Sequence, residues 1–168
     1  MYPEDREIKS DMWIGWGFEV PGVIDPHITI AYYPEMTSSQ AGFVYEAVKD
    51  HVKAYPQEFS AMFTETAIFG GDEGAHVAKV ALPENIHEGA VFLRSRLYAR
   101  TVNFSTQYSF SPHITFGYGE DFEWPFIPKF GDRWPVNFLH IEWNKIRTSY
   151  RLTKREDEKA ANEADGTE

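Results

Sequence analysis

Two copies of one histidine-bearing stretch carry the residues that can do chemistry. Residues 26–32 read PHITIAY and residues 112–118 read PHITFGY. Each copy places a histidine two positions before a threonine, and side chains two positions apart share one face of a β-strand. Because the same pair occurs in both halves of the chain, the sequence predicts one site built from two matched strands.

Two histidines and two threonines suit the cleavage of a phosphodiester. The attacking oxygen needs a base and the leaving oxygen needs an acid, and histidine ordinarily titrates close to neutral pH. Threonine hydroxyls can donate hydrogen bonds to the non-bridging oxygens, where charge grows in the transition state. We therefore predict that His27 and His113 form an acid–base pair and that Thr29 and Thr115 contact the phosphate. This chemistry requires no metal and no cofactor.

Strict alternation along each strand predicts which neighbours share the polar face. The small residue that ends this row would leave space for a ligand, and the apolar row would enter the core. The predicted polar face consists of His27, Thr29 and Ala31 in the first copy and of His113, Thr115 and Gly117 in the second. The predicted core face consists of Ile28, Ile30 and Tyr32, and of Ile114, Phe116 and Tyr118.

Strands and helices alternate around these two stretches. We expect an α+β chain in the order strand, His-strand, helix, hairpin, helix, His-strand, hairpin. The predicted strands cover 12–20, 27–33 (ended by Pro34), 59–69, 75–82, 108–118, 136–143 and 146–152, the predicted helices lie within 37–55 and at about 86–102, and a long aromatic and Pro-rich loop covers 119–135.

Composition narrows the class of protein. The chain of 168 residues has no cysteine, which excludes disulfides, thiolate nucleophiles and cysteine metal sites. A formal net charge of −10 argues against a broad grip on long nucleic acid. The N-terminal stretch lacks the apolar segment of a signal peptide, and no apolar run is long enough to span a membrane, so we expect a cytoplasmic protein. We predict a single two-lobed domain over 1–153 and an acidic, disordered tail over 154–168.

The paired His-x-Thr motifs resemble those of the 2H phosphoesterase superfamily. That family includes 2′-5′ RNA ligase-like proteins, cyclic phosphodiesterases and viral enzymes that degrade nucleotide immune signals. The resemblance covers most of residues 12–152 and implies a two-lobed, pseudo-symmetric fold with antiparallel sheets, two main helices and a central cleft. It implies the same roles for His27, Thr29, His113 and Thr115 in the catalytic site. The 119–135 segment departs from the compact family pattern and leaves the substrate open.

Five further residues are candidates for substrate binding. His140 and Glu142 share one face of a predicted strand, either lining the cleft or facing solvent as a polar row. Trp13 and Trp124 can stack on a base or pack at the core and rim, and Trp143 follows the same strand as His140. The remaining histidines, at positions 51, 76 and 87, fit no constellation and are predicted to lie at the surface.

Three functions remain open at this stage. The first is a metal-independent phosphodiesterase for a small nucleotide; among the family's branches, small size and acidic charge favour phage enzymes that destroy cyclic-oligonucleotide signals (anti-CBASS phosphodiesterases), with an RNA-end-processing enzyme as the nearest alternative. The second is a module that sequesters a nucleotide without cleaving it. The third is a metal site formed by the two histidines. The expected partner is a small nucleotide or cyclic oligonucleotide, with no membrane; base, linkage and oligomeric state stay open.

Overall fold

A computed structural model describes residues 7–18, 20, 22–70, 74–100 and 109–154. None of the helices in these ranges has the length and apolar character needed to cross a membrane. The elements are β1 (Lys9–Phe18), β2 (His27–Thr37), α1 (Ser38–Ala54), β3 (Phe59–Phe69), β4 (Ala75–Ala81), α2 (Glu84–Tyr98), β5 (His113–Tyr118), β6 (Arg133–Trp143) and β7 (Ile146–Arg151).

One antiparallel sheet closes on itself and brings the two His-strands together. Its strands run β1-β2-β5-β4-β3-β6-β7, and β6 also pairs with β1, so the first six strands form a ring with β7 outside it. Lobe one contains β2, β1, β6 and β7, whereas lobe two contains β5, β4 and β3. The lobes join at two places: β3 pairs with β6, and Ile28 of β2 pairs with Ile114 of β5. The predicted α+β order is therefore confirmed, and both repeated stretches lie at the β2–β5 junction.

Local sequence explains how the elements begin and end. The side chain of Thr37 caps α1 by accepting a hydrogen bond from the Gln40 N–H. The β6–β7 hairpin turns at Asn144 and Lys145, both with positive φ, as a two-residue type I′ turn requires. Pro34 does not end β2 as predicted. The β1–β2 register shifts beside it, and a proline is tolerated there because a bulge removes the need for its missing N–H.

Each His-strand contains a bulge at the same position, and this corrects the predicted faces. Gly15 of β1 pairs with Thr29 of β2, and the next residue of β1, Ile14, pairs with Ala31. Ile30 therefore has no partner on β1 and is the extra residue of the bulge. Strand β5 shows the same shift, with Phe116 extra. A bulge inserts one residue and reverses the alternation beyond it. Consequently Ala31 and Gly117 lie on the opposite face, and Tyr32 and Tyr118 share the face of the histidines and threonines.

The core is formed by the inner face of the sheet together with the inner sides of α1 and α2. Ile28 and Ile114 are fully buried in it, as predicted. His51 was predicted to lie at the surface, which is wrong: it is 7% exposed on the inner side of α1, with its ring 4.9 Å from that of Tyr55. Burial lowers its pKa to about 4. The helical spacing of apolar residues in α1 does not by itself show whether a histidine at position 51 faces the core or the solvent.

The long connection before β6 packs on the outer side of β5. Phe122 lies over Gly117 and stacks on His76, so this glycine admits an aromatic ring from the chain itself. Trp124 and Phe126 pack around Phe116. The connection ends earlier than predicted, since β6 begins at Arg133. Of the predicted tail, residues 155–168 lie outside the described ranges.

Candidate active site

The junction of β2 and β5 sets the four repeated residues in a two-by-two array. The strands are antiparallel, and Ile28 lies opposite Ile114. Extending that register places His27 opposite Thr115 and Thr29 opposite His113. Opposite Cβ atoms of such a pair lie about 5 Å apart and diagonal ones roughly 7–8 Å apart. The two histidines therefore occupy one diagonal of this array, and the two threonines occupy the other.

Each histidine is fixed by a carbonyl two residues earlier in the chain. The Nδ1 atom of His27 lies 3.0 Å from the Asp25 carbonyl oxygen, and that of His113 lies 2.8 Å from the Ser111 carbonyl oxygen. A carbonyl only accepts, so each Nδ1 must carry the proton and donate it. The Nε2 atom of each neutral ring then has a lone pair that can accept a proton.

A closed circuit of contacts surrounds His27. The Trp13 indole stacks on its ring at 4.3 Å between centroids. The indole N–H donates to Glu142 Oε2 at 3.2 Å, and Arg147 Nε donates to Glu142 Oε1 at 3.1 Å. Arg147 then grips both carboxylate oxygens of Asp25 at 2.8 and 2.6 Å. Because the Asp25 carbonyl accepts from His27, the circuit returns to the ring and fixes it on its face and its edge.

Arg147 forms ion pairs with two carboxylates of this circuit, Asp25 and Glu142. The hydrogen bonds from Arg147 hold the pKa of Asp25 below its ordinary value, against the opposing effect of burial. Asp25 has φ 51°, a left-handed conformation that few non-glycine residues adopt. The same aspartate thus bends the chain before β2, anchors it to β7 through Arg147 and presents its carbonyl to His27. The sequence prediction missed both Asp25 and Arg147, since neither belongs to the repeat.

His113 has different surroundings. The edge of the Phe69 ring meets it at 4.8 Å, and Lys79 lies directly across from it on β4. A cavity of about 600 Å³ opens beside His113. Thr29 and Tyr32 line this cavity from β2, so the cavity joins the two lobes at the array.

Two glycines make room on β1 for the aromatic rings of this face. A Cβ on Gly15 would lie 2.6 Å from the Ile28 carbonyl oxygen and 3.1 Å from the Trp13 ring, and one on Gly17 would overlap the His140 imidazole. Trp13 and His140 therefore pack over β1 edge to face, with their ring centroids 6.2 Å apart and their planes at 83°. The alternating glycines in MWIGWGF were the sequence signal, because glycine in a strand often marks a close approach.

The five predicted substrate-binding residues separate into two groups. Trp13, His140 and Glu142 lie on the face of His27, where His140 shares a hydrogen bond with Ser149 at 2.7 Å between Nδ1 and Oγ. Burial first, and then Arg147, lowers the pKa of His140. Trp143 faces away and donates its indole N–H to the Met36 carbonyl.

Trp124 also lies away from the array, in the aromatic cluster around Phe116. The prediction that Trp124 and Trp143 bind substrate is therefore corrected: both rings are used for packing on the other side of the sheet. Within the described ranges, no three histidine, aspartate or glutamate side chains are grouped so that they could hold a metal ion.

The fold is that of known phosphoesterase structures. A crystal structure of a phosphoesterase matches with a TM-score of 0.61 at 14% identity, covering 87% of this chain and 99% of that chain. E. coli LigT complexed with 3'-AMP matches with a TM-score of 0.57 at 13% identity, covering 87% and 96%. E. coli LigT complexed with NADP+ matches with a TM-score of 0.55 at 12% identity, covering 87% and 96%.

Comparison of sequences adds no further relative. No family model matches the chain, and no curated protein matches it significantly in sequence. The fold predicted from the His-x-Thr resemblance is nevertheless confirmed, since the match covers nearly the whole length of both phosphoesterase structures.

Proposed function

We propose that this chain is a phosphodiesterase that cleaves a small nucleotide with His27 and His113 as its acid–base pair. One observation carries the proposal. Both histidines have Nδ1 engaged by the carbonyl two residues earlier, on strands that join at the array. That arrangement leaves two Nε2 atoms, one from each lobe, for the two proton transfers that phosphodiester cleavage needs.

The proton transfers balance without a metal ion. One histidine accepts, on Nε2, the proton of an attacking water or neighbouring ribose hydroxyl. The new P–O bond forms as the bond to the leaving ribose oxygen breaks, and the other histidine gives its Nε2 proton to that oxygen. Attack by water yields a phosphomonoester, whereas attack by a ribose hydroxyl yields a cyclic phosphate. The hydroxyls of Thr29 and Thr115 donate to the non-bridging oxygens as charge accumulates there.

A compact nucleotide suits the net charge of the chain and the volume of the cavity beside His113. The formal net charge of −10 disfavours long nucleic acid, while the cavity beside His113 holds about 600 Å³. LigT, which has the same fold, has been crystallised with 3'-AMP, NADP+ and ATP. We place the substrate among small nucleotides and favour a cyclic or 2′-5′-linked oligonucleotide, such as a signal of nucleotide-based antiviral defence.

A panel of nucleotides tests the proposal. The purified protein is incubated, with and without EDTA, with 2′,3′-cyclic mononucleotides, 2′-5′ and 3′-5′ dinucleotides, and cyclic di- and trinucleotides. We expect turnover that EDTA does not reduce. Tight binding without turnover would instead indicate sequestration, and turnover lost in EDTA would indicate a metal site.

Two variants test the acid–base pair. His27→Ala and His113→Ala should each lower kcat by about 10²–10⁴-fold. Both side chains are partly exposed on the polar face, so the melting temperature should change little. Since one histidine must be neutral while the other is charged, kcat/KM should rise and then fall with pH. Near-normal activity in either variant would contradict the mechanism.

A further inference from the structure

Two tyrosines flank the array on its own face, one at each end. The bulges at Ile30 and Phe116 turn Tyr32 and Tyr118 onto the face of the threonines. Each tyrosine is then two ladder steps beyond its threonine, or about 7 Å along the strand. Because β2 and β5 are antiparallel, these steps lead in opposite directions from the array.

Both rings are available to a ligand. Tyr32 is 47% exposed and lines the cavity of about 600 Å³ beside His113. Tyr118 is 71% exposed at the other end, beyond the His27 side of the array. A phosphodiester held at the centre of the array has one nucleoside on each side, and each tyrosine lies about 10 Å along the strand from that centre.

We propose that Tyr32 and Tyr118 are the base-stacking residues for the two nucleosides joined by the scissile phosphate. The inference rests on the proposed function and deepens it: the preferred substrate has a nucleoside on both sides of the cleaved bond. A base has a π-face whatever its identity, so stacking on tyrosine favours two-base substrates without selecting a sequence. Tyr32 binds its base inside the cavity, and Tyr118 binds the other at the open end.

Ring-deleting and ring-keeping variants separate stacking from other roles. Tyr32→Ala and Tyr118→Ala are compared with Tyr32→Phe and Tyr118→Phe, and Tyr98→Ala is the matched control because Tyr98 is a 60% exposed tyrosine on α2. Affinity is measured by calorimetry with 2′-5′ and 3′-5′ adenylyl-adenosine, in a background that carries His27→Ala and His113→Ala to prevent cleavage. Kinetics are measured with the histidines intact.

We expect each alanine variant to raise Kd for the dinucleotides by about 5- to 150-fold, the range given by the stacking of one base. The phenylalanine variants and Tyr98→Ala should stay within about twofold of the parent. Adenosine 2′,3′-cyclic monophosphate has one base, so only one of the two alanine variants should weaken it. Unchanged affinity in both alanine variants, or phenylalanine variants as weak as alanine, would overturn the inference.

The outcomes for the two proposals are distinguishable. If the parent cleaves dinucleotides while the tyrosine variants bind them normally, the stacking inference fails and the phosphodiesterase stands. If the parent binds dinucleotides through the tyrosines and cleaves none of the panel, the phosphodiesterase fails and the stacking inference stands. If the background variant binds no dinucleotide, the stacking inference fails, and if the protein with intact histidines also cleaves nothing in the panel, the phosphodiesterase fails as well.

Discussion

The substitution Arg147→Gln should lower kcat although Arg147 touches neither proposed catalytic nitrogen. Arg147 makes two hydrogen bonds to Asp25 and one to Glu142, and its guanidinium lies 5.1 Å from the centroid of the Trp13 ring. Glutamine reaches a shorter distance and carries no charge. Without the arginine, the turn that presents the Asp25 carbonyl to His27 loses its tie to β7, and the indole that stacks on His27 loses a neighbour.

The size of the effect follows from what the circuit fixes. A displacement of about 1 Å at a reacting group can cost about 10²-fold in rate, whereas the whole general acid or base is worth about 10²–10⁴-fold. We expect kcat to fall by about 10- to 100-fold, less than for His27→Ala, with KM changed by less than about threefold. The free energy of unfolding should fall by only about 1 kcal/mol, since this ion pair is partly exposed.

Steady-state kinetics with the best substrate of the panel, together with NMR of the His27 ring nitrogens, provide the assay. The Nδ1–H signal of His27 should broaden or shift in Arg147→Gln, and Arg147→Lys should recover little because lysine lacks the planar fork. The matched control is Arg96→Gln, which removes another arginine that pairs with an aspartate (Asp50) and lies over a ring.

A double variant decides whether Arg147 acts through Asp25. If it does, Asp25→Ala combined with Arg147→Gln should be no slower than the worse single variant. A kcat within twofold of the parent in Arg147→Gln, an effect on KM alone, or rate losses that multiply in the double variant would refute the positioning role.

Three further predictions concern the threonines of the array, Gly17 on β1 and His51 on α1. Thr29→Val and Thr115→Val keep the branched shape but remove a donor, so each should raise the activation free energy by up to about 3–4 kcal/mol; unchanged kcat/KM would mean that the hydroxyl does not meet the phosphate. Gly17→Ala should destabilise the fold by about 1–3 kcal/mol in chemical denaturation because its Cβ overlaps a buried imidazole, whereas Gly42→Ala on α1, where nothing lies within 4 Å, should be neutral or stabilising. His51, whose pKa falls to about 4 on burial, binds its proton in the unfolded chain near pH 6.5; stability should therefore drop by about 3 kcal/mol as pH falls from 7.5 to 4, and a His51→Leu variant should lack this part of the slope.

The sequence predicted what is local and missed what depends on a partner strand. Alternation placed His27 and Thr29 on one face correctly, because no bulge interrupts that stretch. It failed beyond Thr29, since a bulge at Ile30 depends on which residues the neighbouring strand offers. An apolar residue such as Ile30 is compatible with the alternating sequence pattern both when it pairs with the neighbouring strand and when it is the extra residue of a bulge. The same limit hid the partners of Trp13 on β6 and β7, which come from the other end of the chain.

The repeat and its surroundings carry different parts of the proposed chemistry. In both copies the carbonyl that accepts from Nδ1 belongs to the residue two positions before the histidine, which is the residue just before the repeated stretch. The two histidines therefore share one tautomer, which leaves Nε2 of each ring for the proposed role of base or acid. The difference between the two histidines comes from strands that are not repeated: Trp13 and Arg147 enclose His27, while Phe69 and the cavity adjoin His113. The cavity adjoins His113, whereas the Trp13 indole of lobe one stacks on the His27 ring. The two lobes are thus equivalent in how they orient a histidine and unequal in what adjoins it, and under the proposed function this difference would let two matched histidines take the different roles of acid and base.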